Sequence, residues 1–227
     1  MSDPIQQPIR CPRCNAESPF TLWRSLNVTL NPEEKQSLIA GELLRFTCPE
    51  CGATTQVVYP MLYHDMKQKL MIWLTPDDGA GAAAEPDERQ ELPNEGVLSG
   101  YRARSVRSVN ELLEKIVIFD AQLDDVALEM VKIIIATQLQ AAGEPADAKI
   151  YFAHTQTDAA GAEQLIFAIV TPTGTRAAAL PREPMYTNMS AAAAELASRH
   201  PPPGKWPRID AAYLNGLMDL DIQENRP

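Results

Sequence analysis

Every cysteine in the chain stands in one of two short pairs, Cys11-Pro12-Arg13-Cys14 and Cys48-Pro49-Glu50-Cys51. No other feature constrains the fold as strongly. Two residues between thiolates let one tight turn aim both sulfurs at a single ion, and two such turns complete the four-thiolate tetrahedron that structural zinc prefers. A proline follows the first cysteine of each pair, and Gly52 follows the second pair. Both residues favour a sharp bend whose amides point at sulfur. Because four thiolates leave no position for water or substrate, the metal is expected to build the fold rather than perform chemistry.

Three other readings compete for the same cysteines. Disulfides are one, but the first residues carry no basic-then-apolar leader, so a cytoplasmic location is the expectation, and disulfides rarely persist there. A redox dithiol is the second. That motif occurs once, between a strand and a helix, whereas here it occurs twice and is followed by polar and β-prone residues at 15–23 and 53–59. Iron in the same cage is the third, and zinc is preferred over it for an all-thiolate site without further signature.

The chain of 227 residues is 45% hydrophobic, enough for one or two cores, and its formal net charge is -10. That charge opposes binding to phosphate backbones unless basic residues segregate to one face. No apolar run reaches the roughly 20 residues that span a bilayer, so no membrane partner is expected. Between residues 77 and 97 the composition turns to small residues, carboxylates, prolines and glycines. The reading is a zinc-ribbon domain at 1–76, a solvated linker at 77–97 and an α+β domain at 98–227. The alternative is an insertion in a surface loop of one domain.

Upstream of residue 77, residues 21–30 read as extended. Asn31-Pro32-Glu33-Glu34 then opens a helix that ends near Gly41, with a capping residue, a proline at the first helical position and two acids at the positive end. Phe46-Thr47, residues 54–59 and residues 70–74 are predicted strands, giving a ribbon with a helix inserted between its two knuckles. Trp23, Phe46, Tyr59, Tyr63 and Trp73 are expected to pack a small core around the metal. Downstream, Ser108-Val109-Asn110-Glu111 fits a capping box before a stripe of Leu112, Leu113, Ile116 and Phe119. A second helix starts at Asp124-Asp125 with Ala127, Met130, Val131, Ile134 and Ile135 on one face. Residues 149–153, 165–172 and 175–180 are strands, the last two joined at Thr173-Gly174. An alanine-rich helix at 189–199 and a last helix at 209–218 complete an α+β half with a mostly antiparallel sheet.

Both cysteine pairs, the approach at 43–52, the segment Tyr59-Pro60-Met61-Leu62-Tyr63-His64-Asp65, and the helical pair at 109–132 with Leu112-Leu113-Glu114-Lys115-Ile116 and Leu123-Asp124-Asp125 together resemble the bacterial CpXC-domain proteins. The resemblance implies a zinc-ribbon-like module held by Cys11, Cys14, Cys48 and Cys51. It implies no reaction.

Catalytic candidates are weaker. Asp120, Asp124, Asp125 and Glu129 fall within about two and a half helical turns and could bind a hard cation or share a proton. The preferred reading makes Asp124 a cap, Asp125 a dipole partner and Glu129 a residue of the solvated face. His64-Asp65 could orient an imidazole, but a turn pair is the commoner arrangement, and His154 and His200 stand apart from any nucleophile. No phosphate loop, nucleophile elbow or His-Glu-Xaa-Xaa-His helix is present in the sequence.

The function expected is a zinc-binding scaffold or protein-interaction module that contacts a protein partner or a second copy of itself. Val117, Ile118, Val126, Leu128 and Ile133, which lie off the principal helix faces, are read as surplus apolar surface for that contact. The alternative is a nucleic-acid or transcription-associated zinc ribbon, for which Arg102, Arg104 and Arg107 form the best basic cluster. An enzyme ranks third, and no small-molecule substrate is identifiable.

Overall fold

The computed structural model describes residues 2–76, 100–144, 147–200, 202 and 205–224. Residues 77–97, the expected linker, lie outside the described residues. The fold is α+β, with five helices and three sheets among the described residues.

Two compact units divide the chain, Met1–Leu113 and Glu114–Pro227. In the first, β1 (Asp3–Arg10), β2 (Glu17–Asn27), β5 (Met61–Asp65), β6 (Leu70–Leu74) and β7 (Arg102–Val106) form one sheet in the order β1-β2-β5-β6-β7. β1–β2 and β5–β6 are antiparallel, while β2–β5 and β6–β7 are parallel. This sheet is larger than the sequence reading allowed. β1, β5 and β7 carry prolines, a histidine or arginines that mask strand character, and pairing with neighbours overrides such weak local preference. Residues on the two sides of 77–97 pair as β6 and β7 of one sheet, and the two units divide inside α2.

The crossover from β2 to β5 carries α1 (Pro32–Ile39) and a hairpin of β3 (Arg45–Thr47) with β4 (Thr54–Gln56). Pro32 occupies the first turn of α1 with Glu33 and Glu34 beside it, and Leu38 is its buried anchor. Asn31 precedes the helix without capping it by its side chain. Its Oδ1 instead accepts a bond from the Ser2 hydroxyl. Gly41, at φ +72°, turns the chain out of the helix in the left-handed conformation that only glycine adopts without strain.

α2 (Val109–Asp120) runs from the first unit into the second, where it is followed by α3 (Asp125–Ala141), the antiparallel sheet β10-β9-β8 and two further helices, α4 (Met185–Arg199) and α5 (Ala211–Glu224). The strands β8 (Lys149–Thr157), β9 (Glu163–Thr171) and β10 (Gly174–Pro181) form the predicted antiparallel sheet. At the start of α2 the Glu111 N–H donates to Ser108 Oγ at 3.2 Å, and Glu111 Oε2 accepts from the Arg107 N–H at 2.9 Å. Asp124 caps α3 by accepting from the Ala127 N–H at 2.9 Å. α3 is the hub of this unit, packing on α4, α5 and β8.

Candidate metal centre

Each cysteine pair sits at the tip of an antiparallel hairpin. β1 and β2 pair up to Arg10–Glu17 and enclose residues 11–16, and β3 and β4 pair up to Thr47–Thr54 and enclose residues 48–53. The two tips have the same length and share two backbone hydrogen bonds. In the first, the Cys11 N–H donates to Ala16 O and the Asn15 N–H to Cys11 O, both at 2.9 Å. In the second, the Cys48 N–H donates to Ala53 O and the Gly52 N–H to Cys48 O, again both at 2.9 Å. The residue after the second cysteine is left-handed in both, Asn15 at φ +59° and Gly52 at φ +69°. Asparagine and glycine are the residues that visit this region most readily. The second tip was legible from Gly52. Asn15, its counterpart, was not.

The two tips meet through their sulfurs. All four lie within 4.8 Å of one another, with Cys11–Cys51 and Cys14–Cys48 each at 3.6 Å. The edge of a tetrahedron of sulfurs about 2.3 Å from a central ion is about 3.8 Å. A disulfide would need about 2.05 Å, and the cysteines are free. Spacing and donor set therefore fit a single ion bound by four thiolates.

Electrostatics point the same way. N–H groups of Cys14 and Arg13 hold the Cys11 thiol down at about 6, against its burial. At Cys14 the Ala16 N–H pulls downward too, but the Cys51 sulfur, burial and the Cys48 and Cys11 sulfurs outweigh it and push the thiol up to about 12. Four thiols packed this closely cannot all ionise by themselves, and a divalent cation among them removes that penalty.

Behind the sulfurs lies a small apolar cluster. Cys11, Phe46 and Cys48 form its buried centre, packed by Ile9, Ala16, Phe20, Cys51, Ala53 and Val57. Phe20 and Phe46 meet edge to face at 5.9 Å, bridging the two hairpins. Phe46 thus holds its predicted place. Tyr63 and Trp73 stand instead on β5 and β6 of the large sheet, and Tyr59 donates no metal contact but accepts the Trp23 N–H at 3.0 Å.

This architecture has a family. The CpXC protein model matches residues 9–132, more than half of the 227-residue chain. The chain belongs to the CpXC protein family. The CpXC match opens at Ile9, just before the first knuckle, takes in both hairpin tips and closes at Lys132 in α3. No curated protein and no solved structure matches the chain.

Among the carboxylates near the end of the CpXC segment, Asp124 and Asp125 hold their expected places at the start of α3, but Glu129 does not lie on a solvated face. Asp125 and Glu129 are buried, and Asp120 is exposed. Lys115 reaches Asp125 at 2.9 Å, Glu129 at 3.6 Å and the Ile209 carbonyl at 2.9 Å. Lys132 reaches Glu129 at 2.7 Å and both oxygens of Glu114 at 3.0 Å, and Glu114 also accepts the Phe152 N–H at 2.7 Å. Buried charges survive in this way when paired and hydrogen-bonded. The cluster ties α2 and α3 to β8 and to the chain before α5, which is a structural role. A legible signal was present: Asp125, Glu129 and Lys132 recur at helical spacing, so they share one face of α3.

The remaining candidates separate. His64 faces Tyr101, Nε2 to hydroxyl at 3.3 Å, and burial lowers its pKa from the ordinary value of 6.5. Asp65 instead accepts the N–H groups of Lys67 and Gln68 at 2.9 and 3.1 Å, which makes it a turn residue. His154 is exposed on β8 and His200 follows α4. Of the arginine cluster, Arg104 is buried and donates to the Ala103 carbonyl at 2.8 Å. Of the supposed surplus apolar residues, Ile118, Val126 and Leu128 are buried, so they are core. Their helices are enclosed on more than one side, which a single-face reading of periodicity does not anticipate. No helix among the described residues is long and apolar enough to cross a membrane.

Proposed function

We propose that Cys11, Cys14, Cys48 and Cys51 hold one structural zinc ion, and that this zinc-ribbon-like pair of hairpins makes the chain a binding scaffold for a protein partner or a second copy of itself. The observation that carries the reading is the meeting of two matched hairpin tips, with four sulfurs within 4.8 Å of one another. Four thiolates fill a tetrahedral ion's positions, which suits a staple and leaves no site for a reacting group. The net charge of -10 and the burial of Arg104 favour a protein partner over a nucleic acid, because phosphate binding needs a segregated basic face.

The test is metal analysis of the purified chain together with an electrophoretic shift assay. About one zinc per chain, and no shift of single- or double-stranded nucleic acid at physiological salt, is the expected result. Nucleic-acid binding that weakens steeply as salt rises would replace the scaffold reading with a nucleic-acid-binding ribbon.

A further inference from the structure

We propose that the metal centre is redox-releasable: a peroxide replaces the zinc by two disulfides that run between the hairpins, Cys14–Cys48 and Cys11–Cys51. The proposal rests on the zinc reading above. Its geometric basis is that each of these pairs already stands at 3.6 Å and joins opposite hairpin tips. Closing to about 2.05 Å needs an approach of roughly 1.6 Å, within the reach of loop and side-chain adjustment.

The four sulfurs are not equally reachable. Cys11 and Cys48 are buried and Cys51 is partly covered, whereas Cys14 is exposed. An oxidant therefore enters at Cys14. The Cys14 thiolate attacks one peroxide oxygen, the O–O bond breaks, and the departing hydroxide takes a proton to leave as water, with a sulfenic acid left on Cys14. The Cys48 thiolate then attacks the Cys14 sulfur. The S–S bond forms, the S–OH bond breaks, and the hydroxide leaves as a second water after taking a proton. Two electrons pass from the sulfur pair to one peroxide, and a second peroxide oxidises Cys11 and Cys51 in the same way. Two ligands lost in the first step already open the tetrahedron, so zinc departs as the aqua ion.

The hairpins stay joined throughout, first by metal and then by covalent bonds. Phe20 and Phe46 hold the tips together during the exchange. What changes is the exposed tip surface around Cys14, and with it any contact made there.

The test uses the full chain as purified, with its zinc content measured first. Hydrogen peroxide is added in steps, released zinc is read with a chromophoric chelator, and disulfides are mapped by mass spectrometry of non-reduced peptides. The expected result is one zinc released per chain, Cys14–Cys48 forming before Cys11–Cys51, and zinc uptake restored by dithiothreitol. Within-pair disulfides, retention of zinc, or release accompanied only by sulfinic acids would each overturn the proposal. A chain that carries no zinc at the outset would refute the metal reading instead, while peroxide mapping of that same metal-free chain still decides the pairing.

Discussion

Replacing Cys48 by Ser removes a sulfur that belongs both to the four-sulfur cluster and to the buried apolar cluster. The variant is expected to lose its metal and to unfold the hairpin pair, because binding energy at such a site is folding energy. Circular dichroism and metal content of the variant check both. At the other end of the CpXC segment, Lys115→Met leaves Asp125 and Glu129 buried without the cation between them. That loss is expected to cost about 3 to 5 kcal/mol, measured by denaturant unfolding. A change under 1 kcal/mol would show that the cluster is wetter than its burial implies. The same residues show what one-dimensional reading can carry. Cysteines announce themselves because their spacing is their chemistry, whereas Glu129 looked like a surface acid although Lys132 follows it by three residues on α3, and only the structure brings Lys115 of α2 beside it.

The two hairpin tips make a prediction at the scale of the element. Gly52 has φ +69° and open space where a Cβ would stand, so Gly52→Ala pays for backbone conformation alone, about 1 to 2 kcal/mol. Asn15 already occupies the same region at φ +59°. Asn15→Gly should therefore be neutral or stabilising by up to about 1 kcal/mol, and Asn15→Ala destabilising, as measured by unfolding of the metal-loaded chain. Helices and the antiparallel sheet of the second unit were legible because their caps, stripes and turns are local. Ser108, Asp124 and Thr173-Gly174 sit where such signals belong. β1 and β5 pair with their sequence neighbours but were hidden by the prolines and the histidine they carry, whereas β7 was hidden because its partner is distant, so that strand character in Arg102–Val106 comes from β6 rather than from its own residues. The composition change at 77–97 is plain in the sequence, but the pairing of the strands on either side of it is not, since parallel pairing leaves no local mark.

For the molecule as a whole, stability should depend on pH through the buried cluster. Burial alone would lower the Lys132 pKa, but Glu114 and Glu129 outweigh it and hold the ammonium above its ordinary 10.5. The folded state thus binds this proton more tightly than the unfolded state does. Its contribution is complete below pH 10.5 and is lost as pH rises through the raised value. Melting temperature should fall in that alkaline range, and Glu114→Gln should bring the fall to lower pH. An unchanged profile in the variant would mean that Lys132 is not held by Glu114. Acid works on the other unit: if the four cysteines hold zinc as proposed, protons compete with it for the thiolates and it should be released as pH falls. The most direct measurement is the metal content of the freshly purified chain, by inductively coupled plasma mass spectrometry against protein concentration. About one zinc per chain, falling to none in Cys48→Ser, is the predicted result. A metal-free chain whose four cysteines all react with a thiol reagent while it remains folded would contradict it.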